Sequence, residues 1–218
     1  MNYRINGFTV RSHNSAKPAT QASCYVINLL RSKGPFEQAV DYGCGKLRYA
    51  GVLAERSNHL TIVDSSVQIR RKQMLFNKRT SVEKLAPELW PNCSVFTLEE
   101  FASLTTQRHF DFALCANVLS AIPSYRKRAA LVDCIYHCLA DGGDALFVTQ
   151  YRNSYFDEVY VERNALPHLD GFLIPRNNAA SFYGIIDHQD LLKLGRKQGF
   201  RHFKVWTSRQ SAFLLATR

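Results

Sequence analysis

Two acidic residues, each at the end of an apolar run, are the side chains of this sequence best placed to do chemistry. Asp41 follows Gln38–Val40 and precedes Tyr42–Gly45, and Asp64 closes the run His59–Val63. Glycines let a backbone turn tightly and approach a ligand, and an acidic residue after the next strand can accept hydrogen bonds from ribose hydroxyls. Strand, Gly-x-Gly turn, helix, strand and terminal Asp therefore predict a site for a nucleoside cofactor.

The turn distinguishes between two classes of cofactor. A dinucleotide site has a third glycine three positions after the second, and this chain has Arg48 there. Asp41 would also face a pyrophosphate, so that two anions would repel each other in a poorly screened cleft. S-adenosylmethionine has no phosphate and carries a cationic sulfonium and a cationic ammonium, which Asp41 would attract. The residues favour S-adenosylmethionine, and a nicotinamide-dependent oxidoreductase is the alternative.

A parallel sheet is needed to position these residues. The predicted strands are 38–41, 59–64, 93–97, 110–116, 145–149, 201–206 and 211–217, and the predicted helices are 18–30, 46–56, a basic helix after Ser65, 98–104, 124–139 and 187–199. Strands that alternate with helices predict right-handed crossovers, and the terminal hairpin places its last strand antiparallel. The fold class is therefore predicted as α/β, with a Rossmann-like seven-stranded mostly parallel sheet, helices on both faces and a C-terminal antiparallel hairpin.

Length and composition set outer limits. The 218 residues, 46% of them hydrophobic, predict one domain over 1–218, with an N-terminal arm at 1–17 and an acceptor-side lid or insertion at 151–186. No apolar run approaches the roughly 18 residues that cross a bilayer, so we expect no membrane span and a cytoplasmic location. The six cysteines form no Cys-x-x-Cys pair, and we expect free thiols and no metal site.

A net charge of +10 favours an anionic partner, namely RNA, DNA or an anionic small molecule. Solubility alone is the other explanation. The densest basic cluster is predicted on the exposed side of the helix after Ser65, where a merely solvated face is the alternative. Its members are Arg70, Arg71, Lys72, Lys78 and Arg79.

The combined motifs resemble class I S-adenosylmethionine-dependent methyltransferases. Asp41–Gly45 is similar to their first motif, Asp64 to their ribose-binding acidic residue, and Asp111–Asn117 to their fourth-strand motif. The resemblance covers about residues 18–218. It implies a Rossmann-like fold, S-adenosylmethionine as the cofactor and methyl transfer as the activity.

The resemblance also implies roles for single residues. The implied cofactor-binding residues are Asp41, Gly43, Gly45, Asp64, Ser65, Leu98 and Asn117. The two glycines would bring backbone close to the methionine portion, Asp41 would orient its ammonium, and Asp64 would accept both ribose hydroxyls. Ser65 and Leu98 would flank adenine. In this sequence Leu47 stands where the family often has a further glycine, which implies a bulkier rim beside the methionine portion.

The sequence is less informative about the methyl acceptor. The segment Asn117–Ser120 lacks the Asn/Asp-Pro-Pro-aromatic pattern of enzymes that methylate exocyclic base amines, and no Pro-Cys pair marks a cytosine C5 enzyme. A short similarity of 117–123 to bacterial methyltransferases, some associated with DNA modification, favours nucleic acid over a small molecule. Candidate catalytic residues are Asn117, Tyr151 and His168. The alternative is a non-catalytic cofactor-binding protein that acts as a nucleic-acid-binding or regulatory subunit.

Overall fold

A computed structural model of the chain describes residues 2–104, 109–151 and 154–218. The described strands are β1 Asn2–Ile5, β2 Phe8–Arg11, β3 Phe36–Tyr42, β4 Ser57–Asp64, β5 Gln73–Leu75, β6 Lys78–Thr80, β7 Cys93–Thr97, β8 Phe110–Ala116, β9 Leu139–Gln150, β10 Leu166–His168, β11 Gly171–Arg176, β12 Ala179–Gly184, β13 His202–Ser208 and β14 Ser211–Thr217. The described helices are α1 Cys24–Arg31, α2 Ala50–Ala54, α3 Ser66–Arg70, α4 Val82–Leu89, α5 Leu98–Leu104, α6 Tyr125–Cys138, α7 Ser154–Glu162 and α8 His188–Lys197.

The largest sheet has seven strands in the order β13-β14-β9-β8-β3-β4-β7. Strand β3 pairs in parallel with β4 and with β8, and β4 pairs in parallel with β7. Strands β13 and β14 form an antiparallel hairpin. These pairings confirm the predicted α/β fold, because alternating strands and helices generate parallel neighbours and only the terminal hairpin reverses direction.

The chain divides into two compact units, which are described separately. The first, here called the turn unit, comprises 16–114 and 137–144 and contains the predicted Gly-x-Gly turn. The second, here called the terminal unit, comprises the chain up to Ser15, 115–136 and 145–218. The single domain over 1–218, with its arm and lid, stays a prediction.

The core of the turn unit consists of the apolar faces of its strands. Buried residues occupy consecutive positions at the carboxyl ends of β3 and β4, as expected for parallel strands that are covered on both faces. Tyr42 packs edge-on against Phe101 of α5, with ring centroids 5.7 Å apart. This packing fixes the end of β3, from which the Gly-x-Gly turn begins.

The basic segment after α3 is a hairpin and not the predicted helix. Helix α3 ends at Arg70, and β5 and β6 pair antiparallel with Gln73 opposite Thr80 and Leu75 opposite Lys78. Phe76 and Asn77 form the turn, and both have positive φ angles of 44° and 65°. Two central residues with positive φ define the tight turn that matches the twist of a hairpin, for which asparagine is a common residue.

The terminal unit contains a second sheet that the sequence analysis did not predict. Its order is β1-β2-β12-β11-β10, and β2 pairs in parallel with β12 through Thr9 opposite Ala179. One face buries Val10, Leu173 and Phe182. The predicted N-terminal arm at 1–17 contains the hairpin β1–β2, because Asn6 and Gly7 both adopt the positive φ that a two-residue turn requires.

The other helix boundaries show local corrections. The helix predicted from Pro18 begins at Cys24, and the helix predicted over 46–56 is only Ala50–Ala54. The second helix starts late because Leu47 has a φ of +61°, which no α-helix accommodates. Asp187 caps α8 as predicted, since its Oδ1 accepts a hydrogen bond from the Asp190 N–H at 2.8 Å.

Candidate functional site

The Gly-x-Gly turn in the turn unit depends on both of its glycines. Gly43 and Gly45 have φ angles of 87° and 56°, a region that side chains disfavour. The N–H groups of Gly43 and Cys44 both donate to the Val63 carbonyl, at 2.7 and 3.2 Å. A Cβ atom added at Gly45 would lie 3.2 Å from Cβ of Ala16. The hydrogen bonds therefore hold the turn against the end of β4. The close contact at Gly45 leaves little room for a side chain there.

Asp64 joins the turn to the end of β4. Its Oδ2 accepts a hydrogen bond from the Gly45 N–H at 2.9 Å, and its Oδ1 accepts one from the Ser65 N–H at 2.7 Å. The Ser65 hydroxyl also donates to Oδ1 at 3.3 Å and does not cap α3, although Ser65 occupies the N-cap position. The residue as a whole is partly exposed, and an ionised carboxylate has acceptor positions for about four hydrogen bonds.

Asp41 is buried in the same unit, with 3% of its surface exposed. Its Oδ2 has no hydrogen-bond partner among the described residues. Burial, and next the negative charge of Asp64, raise the pKa of Asp41 to about 7. The pKa of Asp64 is raised by burial and is lowered in part by the hydrogen bonds from Gly45 and Ser65. Two carboxylates in one buried site require a proton or a cationic ligand to balance their charge.

Gln68 belongs to this site and was not predicted. Its side chain is 1% exposed, and its Nε2 donates hydrogen bonds to the Gly45 carbonyl and, at 3.2 Å, to Oε1 of Gln73. Gln73 returns a bond from its Nε2 to the Gln68 carbonyl at 3.2 Å. A glutamine on a short helix resembles any exposed polar residue in a sequence, so no signal indicated its position.

Leu47 has a backbone conformation that favours glycine, the residue that the family resemblance implied for this position. It adopts a left-handed φ of +61°, which costs a residue with a Cβ atom roughly 1–2 kcal/mol. Its side chain is 1% exposed and packs inside the turn unit. The sequence implied a bulkier rim at Leu47, and the structure instead places this side chain in the core.

Thr97 and Glu100 form a capping box at the start of α5. The Thr97 N–H donates to Oε2 of Glu100 at 2.7 Å, and the Glu100 N–H donates to the Thr97 hydroxyl at 3.2 Å. The backbone hydrogen bond from Thr97 lowers the pKa of Glu100. Leu98, predicted to flank adenine, begins α5 and is partly exposed. Its role at adenine stays a prediction.

The candidate catalytic residues lie in the terminal unit. Asn117 follows β8 with a φ of +61°, and its N–H donates to the Val148 carbonyl at 2.7 Å. The Tyr151 ring lies 6.5 Å from the ring of His188, whereas His168 meets Phe182 edge-on at 5.7 Å. No contact among the described residues joins Asn117, Tyr151 and His168, and their catalytic roles stay predictions.

A buried ion pair in the terminal unit was also missed. Arg128 of α6 is 3% exposed, and both of its terminal nitrogens bind the carboxylate of Asp170, one of them at 2.9 Å. Its Nε donates to the Ile122 carbonyl at 2.8 Å. A Cβ atom on Gly184 would lie 2.7 Å from the guanidinium, so this glycine makes room for the arginine. The ion pair fixes the turn between β10 and β11.

Residues 2–104, 109–151 and 154–218 contain no group of three or more His, Cys, Asp or Glu side chains placed to hold a metal ion. None of the helices described there has the length and apolar character that a bilayer crossing requires. All six cysteines are free thiols.

Comparison with known proteins gives a consistent result. Residues 22–205 match a protein family described as a methyltransferase domain. The chain is 32% identical over 214 residues to the uncharacterized protein YmfD of Escherichia coli K12, a match that covers 98% of this chain and 95% of YmfD.

Solved structures show the same fold at low sequence identity. A S-adenosylmethionine-dependent methyltransferase of Methanosarcina mazei has a TM-score of 0.61 at 18% identity, covering 90% of this chain and 98% of that one. Human N-acetylserotonin methyltransferase, solved in complex with S-adenosylmethionine, has a TM-score of 0.60 at 14% identity, covering 87% and 50%. The chain thus spans about half the length of this human enzyme and of several other methyltransferases that it matches.

Proposed function

The chain belongs to the S-adenosylmethionine-dependent methyltransferases. We propose that it transfers the methyl group of this cofactor to a nucleic acid. S-adenosylmethionine supplies an electrophilic methyl group on a sulfonium. The protein must bind the two ends of this cofactor, exclude water and present a nucleophile in line with the methyl group. We assign cofactor binding to Asp41, Gly43, Gly45, Asp64 and Ser65 of the turn unit.

The donor set of the turn fits this cofactor. Asp41 places a buried carboxylate oxygen without a hydrogen-bond partner beside a second carboxylate, Asp64. A cationic ammonium would compensate both charges, whereas a pyrophosphate would add to them. Asp64 is anchored by hydrogen bonds from the Gly45 and Ser65 N–H groups, and we propose that it accepts the ribose hydroxyls. The buried pair of carboxylates is the observation that carries the assignment of these residues to S-adenosylmethionine.

The choice of nucleic acid as acceptor has separate support. The net charge of +10 and the clustered Lys and Arg residues of 70–80 favour a polyanion. The related human enzyme is named for a small molecule, N-acetylserotonin, so a small-molecule acceptor is the competing outcome. We propose that Asn117, Tyr151 and His168 contact the acceptor or the reacting group. A dedicated base is not required, because positioning alone provides much of the acceleration.

Methyl-labelled S-adenosylmethionine, incubated with the protein and separate fractions of total RNA, genomic DNA and small metabolites, tests this proposal. We expect the label in material that nuclease digests, and we expect it to co-migrate with a modified nucleoside after digestion. Asp64→Ala serves as the control for cofactor-dependent transfer. Label found only in the metabolite fraction would overturn the nucleic acid acceptor. Tight cofactor binding without transfer to any fraction would support the non-catalytic alternative.

A further inference from the structure

The segment from Arg70 to Thr80, which includes the hairpin β5–β6, is the most basic segment of the turn unit. Five of the eleven residues from 70 to 80 are Lys or Arg, and none is acidic. The hairpin is tied to the Gly-x-Gly turn, since Gln68 binds both the Gly45 carbonyl and Gln73, the first residue of β5. A partner on the hairpin would therefore bind next to elements that shape the cofactor turn.

Alternation along the two short strands separates a buried face from an exposed one. Leu75 is 2% exposed and Thr80 is 8% exposed, so their side of the hairpin packs inward. Met74 and Arg79 lie directly opposite each other and point to the other side. Met74 is 55% exposed. The outward face thus pairs a flexible apolar side chain with a cation.

Two of the five cations are available to an external anion. Arg70 pairs with Glu100 and Lys78 pairs with Glu88, at 3.2 and 2.7 Å, and all four side chains are about half exposed. Arg71 is partly buried and feels the charge of Asp64. Lys72 and Arg79 are exposed, and within the described part of the chain neither forms an ion pair. They carry the unbalanced positive charge of this surface.

The tip of the hairpin carries an exposed aromatic ring. Phe76 is 50% exposed and touches Trp90 only edge-on, with ring centroids 6.3 Å apart. Its φ of +44° is unfavourable for a bulky side chain, and asparagine or glycine would fit this turn position better. A strained aromatic residue that remains largely exposed has an open face on which a planar group can stack.

We propose that the outward face of β5–β6, with Lys72, Met74, Phe76 and Arg79, is a docking surface for single-stranded nucleic acid. The two cations contact backbone phosphates, and Phe76 stacks on a base. Unpaired cations beside an exposed aromatic ring are the combination that binds single strands without sequence readout. A double helix keeps its bases stacked inside, so Phe76 would have no base to contact. The inference rests on the proposed function only for the choice of nucleic acid over other polyanions.

Fluorescence anisotropy of a labelled mixed-sequence oligonucleotide about 20 nucleotides long, as RNA and as DNA, tests this surface. Affinity is measured between about 50 and 200 mM salt for the wild type and for Lys72→Gln/Arg79→Gln. Each lost phosphate contact to a single strand flattens the slope of log K against log salt by about 0.7, so the double variant should flatten it by about 1.4. The matched control Lys197→Gln/Arg201→Gln removes the same charge from exposed positions of the terminal unit and should leave the slope unchanged.

Phe76→Ala provides the second measurement. It should weaken binding about tenfold while the salt slope stays the same, because stacking releases no counterions. Equal losses in both double variants would show that only net charge matters and would overturn the inference. Binding to vesicles of phosphatidylcholine and phosphatidylserine without binding to either oligonucleotide would overturn it as well, in favour of a membrane surface. A difference between the affinities for the RNA and the DNA oligonucleotide identifies which of the two sugars the surface prefers.

The experiments distinguish a failure of the docking surface from a failure of the proposed acceptor. Hairpin-dependent binding without label transfer to nucleic acid would leave the docking surface in place and remove the proposed acceptor. If label is transferred to nucleic acid and Lys72→Gln/Arg79→Gln changes neither this transfer nor the affinity, the proposed acceptor would stand and the docking surface would be overturned.

Discussion

Replacement of Asp41 by Asn tests the charge balance of the cofactor site. The carboxyl has a pKa of about 7 in the folded protein and near 3.9 in an unfolded chain. Between about pH 4 and pH 7 the folded protein therefore holds a proton that the unfolded chain has lost, and the free energy of unfolding falls as the pH rises through this window. At up to 1.36 kcal/mol per pH unit, with the slope halved where the group is half ionised near pH 7, the wild type should lose about 2 kcal/mol between pH 5 and pH 7 from this group.

Urea unfolding of the cofactor-free protein measures this loss. Asp41→Asn has no such proton, so the variant should gain about 3 kcal/mol relative to the wild type when the pH is raised from 5 to 8. Asp190→Asn is the control, because it removes an exposed carboxylate from α8. Its free energy of unfolding should have the same pH dependence as that of the wild type. Parallel pH dependence of the wild type and Asp41→Asn would refute the argument.

Cofactor binding by the same variant separates function from stability. Ionised Asp41 would attract a cationic ligand, so wild-type affinity for S-adenosylmethionine should rise as the pH increases through about 7, with release of a proton. Asp41→Asn should bind roughly 10- to 100-fold more weakly at pH 8, equivalent to one charged hydrogen bond of about 1.5–3 kcal/mol. Calorimetry in two buffers of different ionisation enthalpy detects both effects. Stronger binding by the variant would contradict the assignment of Asp41.

Three further substitutions address the remaining parts of the fold and the site. Asp64→Ala removes the acceptor that anchors the turn, and affinity for S-adenosylhomocysteine should fall at least about 100-fold by calorimetry; an unchanged affinity would contradict the ribose assignment. Gln68→Ala removes the hydrogen bond to the Gly45 carbonyl and should weaken cofactor binding. Gln73→Ala removes only the hydrogen bonds between the two glutamines and should leave cofactor binding unchanged. Arg128→Ala removes the partner of the Asp170 carboxylate, which is 17% exposed, and should lower the free energy of unfolding by about 3 kcal/mol. The exposed Arg126→Ala should lower it by about 0.5 kcal/mol or less. Similar losses in the last two variants would argue against a buried ion pair.

The part of the fold that the sequence predicted is the part built from strong periodic signals. The short run 93–97 and the continuous apolar run 110–116 predicted β7 and β8 with the boundaries that the structure has, and the Asp187 cap predicted the start of α8. The runs that contain Asp41 and end in Asp64 likewise predicted β3 and β4. These signals are local, so they can be recognised in the sequence without knowledge of tertiary contacts.

The missed elements depend on pairing between distant residues. The basic segment after α3 contains arginine and lysine, which suit a helix, but the left-handed Phe76-Asn77 turn overrides that preference. Gln68 and Arg128 are polar residues that become buried only because specific partners satisfy them. Burial of this kind is not encoded in hydrophobic periodicity. The sequence could therefore indicate Asp41 and Asp64 as carboxylates of the candidate site, but not Gln68 at the turn or Arg128 in the ion pair.

The parallel pairing of β2 with β12 has a consequence for how the chain matures on the ribosome. Thr9 is synthesised 170 residues before its partner Ala179. At about 5–20 residues per second, the first hairpin waits roughly ten to thirty seconds before its apolar Phe8 and Val10 can be covered by Ala180 and Phe182. Nascent chains should therefore expose these apolar side chains to chaperones until residues 179–182 have been synthesised.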